Sequence, residues 1–455
     1  MDRAAAELFL ASLFVESTPE RREALKNAAA GTKSFEGLVP ALEHHGLLLL
    51  FQRNLAAAGV DAPPTLEAQL TARAGEQRHA ALRARLTLQR FLAACARDGV
   101  EVTAIRGSAL ALDLYPEPLR TLRALELAVA PEHFTRAVRA AEVAGLVPSE
   151  GALPPWWYRR THTTLELAPS SPHLTPIRLT AHLHHPSLQL AVREPELVAR
   201  RRRLSIEGHA LFALEPLDAF LELTVALASR AGADALTTGR RHLLQAATTP
   251  RAALDLAALV DLRTFVEQHH ASLAPAAVVA RAREWNAEAA LRAVLECLTM
   301  GLGFLPAARE WTRAVAGPLA ATPAPNQAVF HPDPIERLPH WLRPGPTTLA
   351  RRAHLAASPS PRALQLARTR HLSEAALHGL FALLAYPAAL LARQLSRSTR
   401  AATLATLSDP SRQSDLAATF KTNARVDDMK PITPRTIALE PREESASKYP
   451  DHYRG

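Results

Sequence analysis

The sequence predicts an α+β protein: a small mixed sheet with flanking helices, then a mostly helical domain and a disordered C-terminal tail. Three observations lead there. Val100–Val129 reads as a short apolar strand (Val100–Ile105), an Arg106-Gly107-Ser108 turn, a small helix, and a second strand, Leu125–Val129, with Glu126 inside it. Apolar residues recur at helical spacing through Pro64–Arg97, and again nearly throughout from Pro195 to about Leu305. Beyond about Ser396 the chain turns polar and aperiodic, a composition that cannot bury enough apolar surface to order itself.

Taken in order, Ala4–Val15 is an amphipathic helix, and Leu38–Ala58 is another that holds the His44-His45-Gly46 turn. Pro63-Pro64 opens a long helix with Leu66, Leu70, Leu82, Leu86, Phe91, Leu92 and Cys95 as its apolar positions, closed by Asp98-Gly99. Pro131 starts a helix that Gly145 ends. Strands are expected at Thr163–Leu167 and Ile177–Leu183, joined by a Pro/Ser loop. Leu217–Arg230, Arg251–Val260, Pro275–Trp285 and Glu288–Met300 form the helical domain. Prolines crowd Pro318–Pro346, and shorter helices follow near Pro361–Arg370 and Ser373–Leu395. The expected organisation is 1–98, N-terminal helices packed on the core; 99–190, the α/β core; 191–310, the helical domain; 311–395, a Pro-rich connection with helices; and 396–455, the tail.

The chain has 455 residues, 48% hydrophobic and 21% charged, which suits a globular protein with sizeable cores. Its net charge of +9 comes almost wholly from arginine, since lysine occurs only at positions 26, 33, 421, 430 and 448. A GC-rich coding bias gives that pattern without selection for nucleic acid, and the densest run, Arg200–Arg203, reads as a solvated helix end. Cys95 and Cys297 lie in apolar helical contexts and form neither a disulfide framework nor a metal cluster. The N-terminus lacks a basic region before its apolar run, and Ala375–Ala392 is short for a bilayer span, so no membrane association and a cytoplasmic location are expected.

Val100–Val129 resembles a bacterial family of uncharacterised nucleotidyltransferases whose pattern reads roughly LKG…LYPDP…LRPMGDIDLLV. His44–Leu55, Arg160–Leu167, Ile177–His185, Leu254–Leu262 and Arg281–Pro306 extend the likeness over about Phe35–Pro306. The resemblance implies a nucleotidyltransferase-like sheet. On its turn Arg106, Gly107 and Ser108 cradle phosphates: glycine permits close backbone approach, while Ser and the helix N-terminus supply donors. It also implies Mg²⁺ held by three carboxylates, because Mg²⁺ takes hard oxygen ligands in near-octahedral sites. Two of those three acids are missing. The pair on the second strand falls on Ala124 and Glu126, the third falls on Thr180, and the family's Lys is Arg106. Asp113, Glu117 and Glu166 are available substitutes, but read more simply as a solvated helix residue, a turn residue and a strand residue facing water.

His182-Leu183-His184-His185 could set two imidazoles on one face for Zn²⁺, with His162, His173 or Asp113 as further ligands; chance clustering among 19 histidines is the simpler reading. His44-His45 and His269-His270 read as helix-end residues. Neither a nucleophile elbow, a Walker loop nor G-x-G-x-x-G occurs. The leading functional expectation is a nucleotidyltransferase-family protein with a degenerate site and a non-catalytic binding or scaffold role. One alternative is an active Mg²⁺-dependent enzyme moving an NMP from an NTP to a small molecule or protein, with Glu126 as metal ligand. The other is an Arg-rich RNA-associated module. An NTP or other phosphate-bearing ligand is the expected partner, held by Arg106, Gly107 and Ser108 unless Arg106 pairs internally with Glu126. Mg²⁺ is expected only if the site is active, and Gly107 is expected to carry a conformation that a side chain would strain.

Overall fold

The computed structural model describes residues 1–320, except 116–118, 150–151, 153–154, 162–163, 185–189, 238–239 and 249–254. Expectations for Glu117, His162, His185, the helices after residue 320 and the disordered tail lie outside the described residues.

The chain opens with four helices: α1 (Arg3–Ala11), α2 (Pro19–Ala30), α3 (Leu38–His45) and α4 (Leu48–Ala58). Local chemistry sets their ends. The Asp2 carboxylate caps α1 by accepting from Ala5 N–H, the Thr18 hydroxyl caps α2, and Pro19 fills its first turn. Leu38–Ala58, expected as one helix, is two, because Gly46 adopts the left-handed conformation that closes α3. The long α5 (Pro64–Arg97) follows. Then come β1 (Thr103–Ala104), α6 (Arg106–Asp113), β2 (Leu125–Ala128), α7 (Phe134–Val143), β3 (Leu146–Pro148), α8 (Pro155–Thr161), β4 (Thr164–Pro169) and β5 (Ile177–Thr180).

After α9 (Glu194–Arg200) the chain forms β6 (Arg202–Ile206) and β7 (His209–Ala213). This hairpin corrects the expectation of helix throughout. Glu207 and Gly208, with φ of 49° and 81°, make a two-residue turn of the kind that matches strand twist. Six α-helices follow, α10 (Pro216–Thr237), α11 (Arg240–Thr248), α12 (Leu256–His269), α13 (Pro275–Glu284), α14 (Glu288–Gly301) and α15 (Pro306–Ala316), and a short 3-10 turn, Gly317–Leu319, comes after them.

The seven strands form one mixed sheet in the order β3-β4-β5-β2-β1-β7-β6, with β2 parallel to β5 and β1 parallel to β7. Period-two alternation gives it two faces. Leu125, Leu127, Leu165, Leu167, Ile177 and Leu179 pack under Leu88, Phe91 and Leu92 of α5 and Phe134 and Val138 of α7. The opposite face carries Glu126 and Thr180 and is approached by α6. A second core joins α1–α4 to α6 and α10–α15, including Phe9, Phe51, Phe220, Phe265 and Trp285. Helix α5 serves both cores, with Leu66 and Leu70 in the helical one and Phe91 and Cys95 under the sheet. Burial pushes the thiols of Cys95 and Cys297 up to about 12 and about 11, which keeps both protonated and inert.

The Arg200–Arg203 run is not a solvated helix end. Arg200 Nε bonds Asp218 at 2.9 Å, Arg201 reaches Glu101 at 2.8 Å, and Arg202 pairs with Asp113; Arg203 alone of the four is exposed. Asp113, exposed at the end of α6, and Glu166, exposed on β4, both lie at the surface as expected, paired with Arg202 and Arg178. His45 and His269 are the last residues of α3 and α12. Among the described residues no helix is long and apolar enough to cross a membrane.

Gly46 ties α3 to the segment before β2. Its φ is 65°, its carbonyl accepts from Thr121 N–H at 3.1 Å, and a Cβ there would overlap the Thr121 carbonyl oxygen. Gly46→Ala should therefore destabilise the protein by at least about 1–3 kcal/mol. Urea denaturation checks this: the midpoint falls, and an unchanged midpoint contradicts the packing.

Candidate functional site

The site lies where the polar face of the sheet meets the helical core. Parallel pairing of β2 with β5 sets Glu126 opposite Arg178 and Ala128 opposite Thr180. Glu126 and Thr180 therefore share a face of the sheet, while Ala124 lies in the bend just before β2. Only Glu126 presents a carboxylate there. The Thr180 hydroxyl donates to the His182 carbonyl at 2.6 Å and is buried.

Arg106 fills the middle of this arrangement. It opens α6 directly after the β1 strand, with a φ of 52° that L side chains seldom adopt. Its Nε donates to Glu222 Oε1 on α10 at 2.9 Å, and its Nη1 stands 3.6 Å from Glu126 Oε1. Its Nη2 donates to the Leu183 carbonyl at 3.3 Å. Burial works against the guanidinium charge, but Glu222 and then Glu126 more than offset it and hold the Arg106 pKa above its ordinary value. Glu222 is only 1% exposed, so it needs this cation.

Ser108 is buried, and its hydroxyl oxygen accepts the Glu126 backbone N–H at 2.7 Å. It thus fastens α6 to β2. Gly107 does not carry the strained conformation expected of it: the left-handed residue is Arg106. A Cβ on Gly107 would make ordinary contacts at 3.7 Å with Arg120 Nη2, Asp261 Oδ2 and Leu122 Cδ2.

Those neighbours belong to a second buried polar cluster. The Tyr115 hydroxyl donates to Asp261 Oδ1 at 2.6 Å, and Arg120 Nε stands 3.3 Å from the same oxygen. Burial, reinforced by the Asp261 charge, pushes the Tyr115 phenol pKa well up. Arg120 also donates to the carbonyls of Thr121 at 2.8 Å and His45 at 3.4 Å, tying the approach to β2 onto α3 and α12.

The histidine motif divides. Both ring nitrogens of His182 are engaged, Nδ1 with Glu194 and Nε2 with the Arg159 carbonyl, each at 2.9 Å. His184 stands edge-on to Trp285 at 5.9 Å, and burial followed by the nearby Arg106 charge lowers its pKa to about 3. Among the described residues no three His, Cys, Asp or Glu side chains converge as a metal cluster. The donor set also fits the implied Mg²⁺ poorly: Ala124 offers no oxygen, Thr180 is turned to a carbonyl, and Glu126 faces a guanidinium.

Glu222, Arg120 and Asp261 escaped sequence reasoning as site residues. The signal for Glu222 is a lone acid inside the apolar run FLELTVALA, and for Asp261 one inside LAALVDL. Acids in such runs need a buried cation, which here lies more than a hundred residues away in sequence.

The profile of a family described as uncharacterised nucleotidyltransferase matches residues 32–302, and the chain belongs to that family. An antigenic nucleotidyltransferase-like protein from Paracoccidioides brasiliensis, known from a crystal structure, is similar at 13% identity and a TM-score of 0.26, over 40% of this chain and 75% of that one. No curated protein matches the chain.

Two substitutions probe the geometry. Arg106→Ala removes the guanidinium that pairs with the buried Glu222 carboxylate and should cost about 3–5 kcal/mol near neutral pH. The deficit should shrink towards acid pH, where Glu222 in the variant takes up a proton. Gly107→Ala should instead leave stability within about 1 kcal/mol of the original. Thermal denaturation of both variants across pH checks the pair of expectations, and the reverse order of stabilities contradicts them.

Proposed function

We propose that this member of the nucleotidyltransferase family has exchanged metal-dependent chemistry for an internal ion pair and acts as a non-catalytic binding or scaffold protein. The observation that carries the reading is the Arg106 guanidinium between Glu126 and Glu222. It supplies, from within the chain, the positive charge that two-metal transfer takes from Mg²⁺. Ala124 and Thr180 support the same reading, because neither position offers the carboxylate that a second metal ligand needs.

The pairing bears on ligands too. The Arg106 guanidinium is already engaged with Glu222, Glu126 and the Leu183 carbonyl, and these acceptors compete with a phosphate-bearing ligand. The Ser108 hydroxyl, expected as a phosphate donor, uses its oxygen to accept the Glu126 backbone N–H and so anchors the turn to β2. Arg106, Gly107 and Ser108 are thus better suited to holding the strand–helix turn than to gripping a triphosphate. On this reading calorimetric titration with ATP gives no binding heat with or without EDTA; heat that vanishes with EDTA indicates a metal site.

Glu222 favours one other reading. A divalent cation that displaced Arg106 would meet two carboxylates, Glu126 and Glu222, from which weak metal-dependent transfer could proceed. Radiolabelled NTPs with Mg²⁺ or Mn²⁺ and candidate acceptors separate the two. The non-catalytic reading expects no label transfer above background. Label incorporation that is lost in both Glu126→Ala and Glu222→Gln overturns it.

A further inference from the structure

We propose that His182 and Glu194 form a pH-dependent clasp that fixes the Leu183 peptide against Arg106 and joins α8, the end of β5 and the start of α9. The geometry requires a charged imidazole. Nδ1 lies 2.9 Å from Glu194 Oε2, and Nε2 lies 2.9 Å from the Arg159 carbonyl oxygen. A carboxylate and a carbonyl are both acceptors, whereas a neutral imidazole has one N–H; two donors exist only in the imidazolium. The other Glu194 oxygen accepts the Leu183 N–H at 2.8 Å, and the Leu183 carbonyl accepts from Arg106 Nη2 at 3.3 Å. A continuous path of hydrogen bonds thus runs from His182 to the ion pair at the site.

The groups around the clasp set its direction. From α9 Glu194 faces the imidazole, and from α8 the Arg159 carbonyl does. His184, two residues on, faces Glu194 as a neutral ring, held so by burial and by Arg106 of α6. Thr180, on β5, bonds the His182 main chain and carries no charge. Burial lowers the His182 pKa, but the Glu194 hydrogen bond and charge and the Arg159 carbonyl outweigh it, leaving the pKa above its ordinary value of 6.5. Burial works against the Glu194 charge, yet His182 and the Leu183 N–H carry its pKa below 4.5. The His182 contribution is therefore full below pH 6.5 and is lost as pH rises through the raised value. The Glu194 contribution is lost only as pH falls through the lowered one. The clasp is closed between these limits and opens towards alkaline pH.

Opening removes one of the two imidazole bonds and loosens the Glu194 hold on Leu183 N–H. The test uses the full chain with isotope-labelled histidine, the His182 ring signal being assigned by its absence in His182→Gln. Hydrogen exchange at Leu183, corrected for intrinsic rates, is followed over the same pH range. We expect His182 to titrate above 6.5, and Leu183 protection to fall several-fold through that same pH. His182→Gln, whose side chain cannot take up the charge, should show no such step, and Glu194→Gln should lower the His182 titration. His182 titrating at or below 6.5, a flat Leu183 profile in the unmodified protein, or a step that survives in His182→Gln would each overturn the clasp. Circular dichroism of both variants confirms that the comparison is between folded chains.

Discussion

A half-buried guanidinium at the junction of two cores is the constraint on which the rest of the site depends. Arg106 leaves the β1 strand in a left-handed conformation and projects into the space between the sheet and α10. A cation there is tolerated only if carboxylates come to it, because desolvation of an unpaired charge exceeds what the rest of such a site can offset. Glu126 answers from β2 and Glu222 from α10, so one side chain links the sheet to the helical core. Ser108 secures the same turn by accepting the Glu126 N–H, and Arg120 with Asp261 and Tyr115 braces the turn from the other side.

On the proposed reading, the site has the outline of a metal site and a different source of charge. Parallel register between β2 and β5 brings Glu126 and Thr180 to one face, with Ala124 in the bend just before β2. Alanine and threonine thus stand at two of these three positions, and arginine occupies the space facing the third. Arginine is suited to that substitution because its charge persists at any accessible pH and its fork can serve two carboxylates and a carbonyl at once. A metal exchanges with solution and takes substrate oxygens as ligands; a tethered guanidinium already bonded to protein acceptors is poorly placed to do so.

Much of the fold was legible because its signals are local. The alternation of Leu125, Glu126 and Leu127 marked β2, helical spacing marked α5, and Pro131 and Gly145 bracketed the stretch that holds α7. The β6–β7 hairpin was not legible: RRLSIEGHALFA is rich in leucine, alanine and arginine, and its turn is Glu-Gly instead of the Asn-Gly or Asp-Gly that announces a hairpin. The site was half legible. Sequence spacing located Arg106, Gly107, Ser108 and Glu126 together, and the possibility that Arg106 pairs with Glu126 followed from charge alone. It could not supply Glu222, because a pair separated by 116 positions is decided by how α10 crosses the sheet. The arginines at 200–202 were misread for the same reason: their partners Asp218, Glu101 and Asp113 are distant in sequence and adjacent only after folding.

On the proposed reading Arg106 holds the place a divalent cation would take. Electron paramagnetic resonance of Mn²⁺ titrated into the protein, with a non-hydrolysable NTP present, tests it most directly. With Arg106 in that place, adding protein leaves the Mn²⁺–nucleotide spectrum unchanged. A protein-bound Mn²⁺ signal that disappears in Glu126→Ala would contradict it.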